Sequence, residues 1–274
     1  MGPTLNRLAD AAARAVGYCL LPRVIALSFL PLFIAGGLAF GFMFFFWESA
    51  IDAVRATLEQ WSVVEASLAF LDRMGLPQFR SVLAPLVLMA MLVPAVMAIA
   101  LLAVGLIMTP VIVKLVVRRR FPGLEARRGS SARVGVFSAV GETLAALLML
   151  VASLPFLFIP PLVLILPPLI WGWLTYKVFS YDVLAEHASA EERIALRRQH
   201  RWPLLGIGVC CGYLGAAPAL IFSLNAAALF LAPFLILVSV WLYTWVFCFA
   251  TAWFAHYTLA ALAAQRGTAE LVIE

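Results

Sequence analysis

The sequence predicts an all-α integral membrane protein with about six hydrophobic helices, forming two long spans and two helical hairpins, plus amphipathic interfacial helices. The 274 residues are 65% hydrophobic and 12% charged, with a mean hydropathy of +1.03. A soluble domain carries about 25% charged residues. The polar residues also cluster between apolar runs that are longer than a soluble core requires. We therefore expect one polytopic membrane domain over residues 1–274.

The chain opens with a predicted interfacial helix over residues 1–22. Four apolar residues share one helical face there: Leu5, Leu8, Ala12 and Val16. An amphipathic segment of this kind lies on a membrane surface. The first span is predicted over 24–46 and ends beside Trp47, a residue type common at membrane interfaces. Gly37 and Gly41 form a G-x-x-x-G pattern in this span, which predicts close helix contact.

A polar segment and a second long span follow. Residues 47–80 place apolar residues three or four positions apart from Ile51 to Leu71, the period of an amphipathic helix. The second span is predicted over 82–117. Its apolar run exceeds a perpendicular crossing, so we expect it to tilt, to bend at a proline or to project beyond the bilayer.

The rest of the chain predicts two hairpins on either side of a polar helix. The first hairpin covers 136–176, where prolines concentrate near the expected turn. The segment 177–202 contains SAEE at Ser189–Glu192, a capping box that opens a helix. The second hairpin covers 203–260. Because each hairpin returns the chain to its starting side, this layout gives an even number of crossings.

Loop charges predict the orientation. Residues 47–80 contain three basic and five acidic residues, whereas 114–135 contain seven basic residues and one acidic residue. Since positively charged loops stay in the cytoplasm, both termini and the segments 114–135 and 177–202 are predicted to be cytoplasmic, and 47–80 external. Basic loops beside membrane spans account for the net charge of +5. We expect a lipid bilayer around the protein and no nucleic-acid partner, because no basic stripe with interleaved aromatic residues is present.

Three stretches follow the pattern of one known family. The first is the opening segment, with Pro22 and Pro31 nine positions apart; the second is MTPVIVKLVV at Met108–Val117. The third is WGWLTYKVFSYDVLAEHASAEERIALRRQHRWPLLGIG at Trp171–Gly208. Together they resemble the etoposide-induced-protein domain family, which includes bacterial sulfate permeases. The resemblance implies a helical bundle in the bacterial inner membrane that admits sulfate to the cytoplasm and assembles as a homo-oligomer.

The resemblance also suggests a substrate-binding segment, from which this chain departs. In the sulfate permeases the first proline is followed by Gly-Leu-Arg; here the same positions hold Arg23, Val24 and Ile25. A helix N-terminus and an arginine can still contact an oxyanion. The absence of glycine restricts close backbone approach. Alternatively, Arg23 is an anchor that extends its charge to the membrane surface.

Two other polar residues stand out in the predicted hairpins. Glu142 is the acidic residue inside the first hairpin, and a buried carboxylate is costly unless it is paired or protonated. It either bonds an arginine or another subunit, or it faces the headgroups because the hairpin begins later. Asn225 lies between the last two apolar runs and is predicted to cap or turn the second hairpin.

Other chemistry is not indicated by the sequence. His187, His200 and His256 share no helical face, and neither a Ser–His–Asp arrangement nor a zinc-ligand spacing is visible. No phosphate-binding glycine loop is present. We therefore expect no enzyme activity, no cofactor and no metal site.

The resemblance implies one function, and a second one of a different class is compatible with the same sequence. The first is a permease that mediates or assists uptake of sulfate or a similar small oxyanion. The second is a non-transporting membrane scaffold, or an envelope-homeostasis protein, of the same family. A permease requires polar or cationic groups that converge on a path, whereas a scaffold has a dry bundle interior.

Overall fold

The computed structural model describes residues 2–75, 78–126, 132–154, 156, 160–223 and 232–273. Within these ranges the chain forms ten helices and no strand, which confirms the predicted all-α class. The helices are α1 Gly2–Cys19, α2 Pro22–Ser28, α3 Leu30–Glu59, α4 Ser62–Arg73, α5 Gln78–Arg120, α6 Ala132–Ser153, α7 Pro160–Asp182, α8 Ala190–Gln199, α9 Arg201–Ser223 and α10 Ala232–Ile273.

The two prolines of the opening segment both lie in the first turn of a helix. Pro22 is the first residue of α2, and Pro31 is the second residue of α3. Proline is tolerated at these positions because the first N–H groups of a helix have no intrahelical acceptor. Between the two helices, the N–H of Phe29 donates to the carbonyls of Ala26 and Leu27.

Two stretches of the described chain are long and apolar enough to cross a membrane, judged by length and composition. They are Pro22–Glu59, which contains α2 and α3, and Leu237–Gly267 within α10.

The helices divide into two compact units, and unit 2 comprises Leu30–Gly105. Helices α3 and α4 contact each other in this unit, and a break at Gln60 and Trp61 separates them. The apolar stripe of the sequence is therefore divided between two helices. Helix α3 exposes a series of phenylalanines: Phe33, Phe40, Phe44, Phe45 and Phe46. An apolar surface of this kind suits lipid or another apolar partner.

Unit 1 comprises Met1–Phe29 and Leu106–Glu274. Its core contains residues from α1, α5, α7, α8, α9 and α10, together with the α7–α8 connection. Phe254 of α10 is fully buried there and stacks on Phe179 of α7, with ring centroids 5.7 Å apart. Arg120 at the end of α5 and His200 at the end of α8 contact the second half of α10, at His256 and Tyr257.

Helix α1 packs on α10 through small residues. Ala11, Ala15 and Cys19 are buried, and the indole Nε1 of Trp253 donates to the carbonyl of Leu8 at 3.1 Å. Two residues of the predicted apolar face, Leu5 and Val16, remain exposed. Helix α1 thus uses one face for α10 and presents further apolar side chains outward.

Candidate functional site

A polar cavity of about 250 Å³ lies inside unit 1, between α1, the end of α5, the α8–α9 junction and α10. Its lining residues are Arg7, Asp10, Ala11, Arg120, His200, His256, Tyr257, Ala260, Ala261 and Ala264. The alanines of α1 and α10 let the two helices approach closely. The polar side chains come from four separate parts of the sequence.

The polar side chains of the cavity lie at specific positions on α1, α5, α8 and α10. Arg7 and Asp10 are three residues apart on α1, so they lie on the same side of the helix. Arg120 is the last residue of α5, and His200 is the C-cap of α8. His256 and Tyr257 are adjacent on α10. The packing of α1 on α10 therefore assembles the cavity.

Arg120 connects His256 to Asp10. Its Nη1 lies 3.1 Å from His256 Nδ1, and its Nη2 lies 3.4 Å from Asp10 Oδ2. A guanidinium has donors only, so Nδ1 accepts and a neutral His256 carries its proton on Nε2. Burial lowers the pKa of Arg120 from its ordinary value. The arginine remains a cation, because its ordinary pKa lies far above neutrality.

His256 is a buried donor. The residue is 1% exposed, and its Nε2 has no hydrogen-bond partner among the residues that the structure describes. The ring of Tyr18 packs edge-on against it, with centroids 4.6 Å apart. An unpartnered buried N–H is costly, so this atom favours an acceptor that the protein itself does not supply.

The carboxylate of Asp10 is already occupied. Arg14 Nε lies 3.0 Å from Oδ1 and 2.9 Å from Oδ2, and this contact lowers the pKa of Asp10. Arg7 has neither an ion pair nor a hydrogen bond from its side chain within the described residues. The lining therefore contains two arginines, Arg7 and Arg120, and one aspartate, whose carboxylate is already paired with Arg14 outside the lining. The cavity is cationic.

His200 adds a neutral ring to the cavity wall. Its Nδ1 lies 3.0 Å from the hydroxyl of Tyr257. Burial, and then the charge of Arg7, lower the pKa of His200 from its ordinary value. The ring is therefore neutral at pH 7 and offers one N–H donor.

The predicted substrate-binding segment lies at the start of α2. Arg23 is exposed, whereas Val24 is buried and Ile25 is partly buried. The N–H groups of Val24 and Ile25 donate to the carbonyl of Leu21 at 2.9 and 3.0 Å. Fewer donors are therefore free than at an open helix N-terminus. A role for Arg23, Val24 and Ile25 in substrate binding stays a prediction.

The two predicted polar residues of the hairpins contribute no described contact. Glu142 lies in α6, but its side chain is outside the described part of the chain. Asn225 falls between the described ranges. Among described residues, no group of three His, Cys, Asp or Glu side chains could hold a metal ion.

A family model described as sulfate transporter CysZ/etoposide-induced protein 2.4 (EI24) matches residues 11–224. The chain belongs to the EI24 family. This confirms the family predicted from the sequence. Membership of this family and the long apolar helices together indicate a membrane protein. Neither the curated proteins nor the solved structures gave a match to this chain.

The EI24 match covers only part of the cavity. Arg120 and His200 lie inside the matched range, whereas Arg7, Asp10, His256 and Tyr257 lie outside it. The sequence alone does not reveal this site. Arg120 is one of seven basic residues in the segment 114–135, and the three histidines share no helical face. Two of the three histidines come together only through the packing of α10 on α1 and α8. The available local signal was the pair Arg7 and Asp10, three residues apart on an alanine-rich helix.

Proposed function

We propose that this chain is a CysZ-like permease of the bacterial cytoplasmic membrane that mediates or assists uptake of sulfate or a similar small oxyanion. The observation that carries the proposal is the cationic cavity of unit 1. A dry bundle interior is what a scaffold requires, whereas cationic side chains that converge on a cavity are what an anion pathway requires. The EI24 family description, which names a sulfate transporter, supports the same function.

The proposed topology has about six hydrophobic helices and both termini in the cytoplasm. Arg118, Arg119 and Arg120 form the last turn of α5. The positive-inside rule assigns this end to the cytoplasm and with it the cavity. The exposed phenylalanines of α3 then face lipid or another subunit of a homo-oligomer.

The electrical gradient opposes the proposed uptake. A negative-inside potential raises the free energy of an entering anion by about 2.3 kcal/mol per charge per 100 mV. Net entry of a dianion therefore requires its consumption in the cytoplasm or the co-transport of cations. In this proposal the protein supplies the permeation route. The free energy for net entry comes from consumption of the anion in the cytoplasm or from co-transported cations.

The test is radiolabelled sulfate uptake into proteoliposomes that contain the purified protein. We expect saturable uptake, a decrease of about tenfold or more for Arg120→Gln, and little change for Arg118→Gln. Arg118 is the matched control because it lies two residues away on α5, carries the same charge and does not line the cavity. Arg23→Gln tests the predicted segment at the start of α2 in the same assay.

One outcome would reject the permease. If folded protein gives no more uptake than empty liposomes, the chain is not a self-sufficient sulfate route. The second candidate function, a membrane scaffold, would then gain support from the exposed phenylalanines of α3. Cross-linking at Phe40 and Phe44 in whole cells would then reveal whether a protein partner covers that face.

A further inference from the structure

The cavity of unit 1 has the properties of a specific anion site rather than of a general basic surface. Its donors approach from α1, α5 and α10. His256 Nε2 is buried without a partner within the described ranges, and Arg7 has no carboxylate partner there. His256 Nε2 is therefore a buried donor that lacks an acceptor in the described part of the chain, and Arg7 is an exposed cation at the same cavity. A bound anion would accept from the first and pair with the second.

The chemistry of these groups defines the ligand. Arg7, Arg120 and the N–H of His256 all donate, and Asp10, the carboxylate in the wall, is held by Arg14. A cation would be repelled by the excess positive charge. A ligand with several acceptor oxygens around one centre can accept from donors that approach from different directions, and such charge-assisted bonds are strong. A sulfate or phosphate group has this arrangement.

We propose that this cavity is a binding site for a tetrahedral oxyanion, held by Arg7, Arg120 and His256. For its role in uptake the inference rests on the proposed function, but the binding itself does not require transport. The site is separate from the start of α2. It also depends on residues at both ends of the chain that the family match does not include.

The same chemistry has two sources, the free anion and the phosphate of an anionic phospholipid. A volume of about 250 Å³ exceeds that of a single oxyanion and leaves space for water or for part of a headgroup. Arg7 is exposed at the cavity, and Leu5 on the same helix is exposed as well. Because Arg7 is exposed, a phosphate can reach this edge of the cavity from outside the protein.

The experiment measures binding to the purified full-length protein. Isothermal titration with sodium sulfate and with sodium phosphate, at constant ionic strength set by sodium chloride, tests the free anions. Native mass spectrometry after reconstitution with phosphatidylglycerol or phosphatidylcholine tests the lipid. The variants are Arg7→Gln and Arg120→Gln, and the control is Arg118→Gln.

We expect binding to weaken about tenfold to a hundredfold in both cavity variants, and to change less than about twofold in the Arg118→Gln control. Arg7→Gln guards against a folding defect, because Arg7 is exposed and has no hydrogen-bond partner among described residues. Binding of sulfate or phosphate that is lost in the variants identifies a free-anion site. Selective retention of phosphatidylglycerol that is lost in the variants identifies a headgroup site.

The inference is overturned if the unmodified protein binds neither source, or if both cavity variants bind as well as the unmodified protein. An equal loss in Arg118→Gln also overturns it, because binding would then follow general charge. Its failure is distinguishable from that of the permease. Saturable uptake without binding at the cavity removes this site only, whereas binding without uptake removes the permease only.

Discussion

Two helix–helix contacts in unit 1 use opposite chemistry. Where α7 crosses α9, three glycines bring the backbones together, and a Cβ added at Gly172 would lie 2.6 Å from the Cα of Val209. A Cβ at Gly208 or Gly212 would also collide with backbone atoms of α7. Where α8 meets α10, an ion pair makes the contact. Arg266 Nε and Nη2 lie 3.0 and 2.9 Å from the two carboxylate oxygens of Glu192.

The ion pair connects more than two helices. Arg266 also donates to the carbonyl of His187 at 2.7 Å and to the carbonyl of Glu125 at 2.9 Å. Glu192 accepts from the backbone N–H of Ser189 within the capping box of α8. The side chains are 15% and 17% exposed. This one arginine thus holds α10 to α8 and to two connecting segments.

The two contacts differ in which substitutions they tolerate, those that add side-chain atoms or those that remove them. At its three glycines the α7–α9 crossing is sensitive to added volume, because a Cβ there would meet backbone atoms of the other helix. The α8–α10 contact is sensitive to removal, because removal of either partner would leave the other charge partly buried without its counter-charge. The two contacts should therefore respond in opposite ways to truncation and enlargement.

The largest effect is expected for Arg266→Met. The change leaves the partly buried Glu192 carboxylate without this cation and removes the donor from the carbonyls of His187 and Glu125, and the free energy of unfolding should fall by about 3 kcal/mol. The measurement is the thermal unfolding midpoint of the purified protein in detergent. Arg55→Met is the control, since the Arg55–Asp52 pair is exposed at 3.8 Å and such pairs contribute about 0–1 kcal/mol. Equal losses in the two variants would show that the Arg266 contact is no stronger than a surface pair.

A smaller effect of the opposite kind is expected at the glycine crossing. Gly208→Ala places a Cβ against the backbone of α7, and the strain should cost about 1–3 kcal/mol. Gly206→Ala is the matched control. Gly206 lies on the same helix, α9, but a Cβ added there would meet nothing within 4 Å. Alanine is also the better helix former, so the control should be neutral or slightly more stable. If both variants unfold alike, the close crossing contributes nothing that a methyl group disturbs.

The two contacts also show what the sequence could predict. The capping box at Ser189–Glu192 was predicted and is confirmed, because its code is local: a serine followed three residues later by a glutamate. The pairing of Glu192 with Arg266 joins residues 74 positions apart, and no local pattern indicates it. Likewise, the all-α class could be predicted because it depends on local features, the apolar composition and the helical spacing of apolar residues within each segment.

Glycine patterns and the cavity illustrate the same limit. The G-x-x-x-G pattern at Gly37 and Gly41 predicted close contact, but a Cβ at either position would meet nothing within 4 Å in the described chain. The close crossing uses Gly208 and Gly212 instead. A spacing shows that two glycines share a face, but not which helix that face meets. The cavity is hidden for the same reason, since Arg7, Arg120 and His256 meet only through tertiary packing.

The smallest expected effect is a pH dependence of stability that arises at the α8–α10 contact, where Arg266 donates to the carbonyl of His187. Burial lowers the pKa of His187 below its ordinary value of 6.5, so the unfolded chain takes up its proton first as the pH falls. Stability should therefore decline below about pH 6.5, by at most about 1.4 kcal/mol per pH unit for this residue. Glu186 raises this pKa, and Arg266 and Lys114 lower it further. Unfolding midpoints between pH 5 and pH 8 measure the decline.

Substitutions assign this decline to one contact. His187→Gln removes the titrating group but keeps the backbone carbonyl that accepts from Arg266, so the pH profile should become flatter while stability at pH 8 changes little. His200 has a lowered pKa as well and should retain part of the slope in that variant. Gly208→Ala should lower the whole profile without changing its slope, because no histidine, aspartate or glutamate is among the atoms nearest the added Cβ. A flatter profile in Gly208→Ala, or an unchanged one in His187→Gln, would contradict the separation of the two contacts.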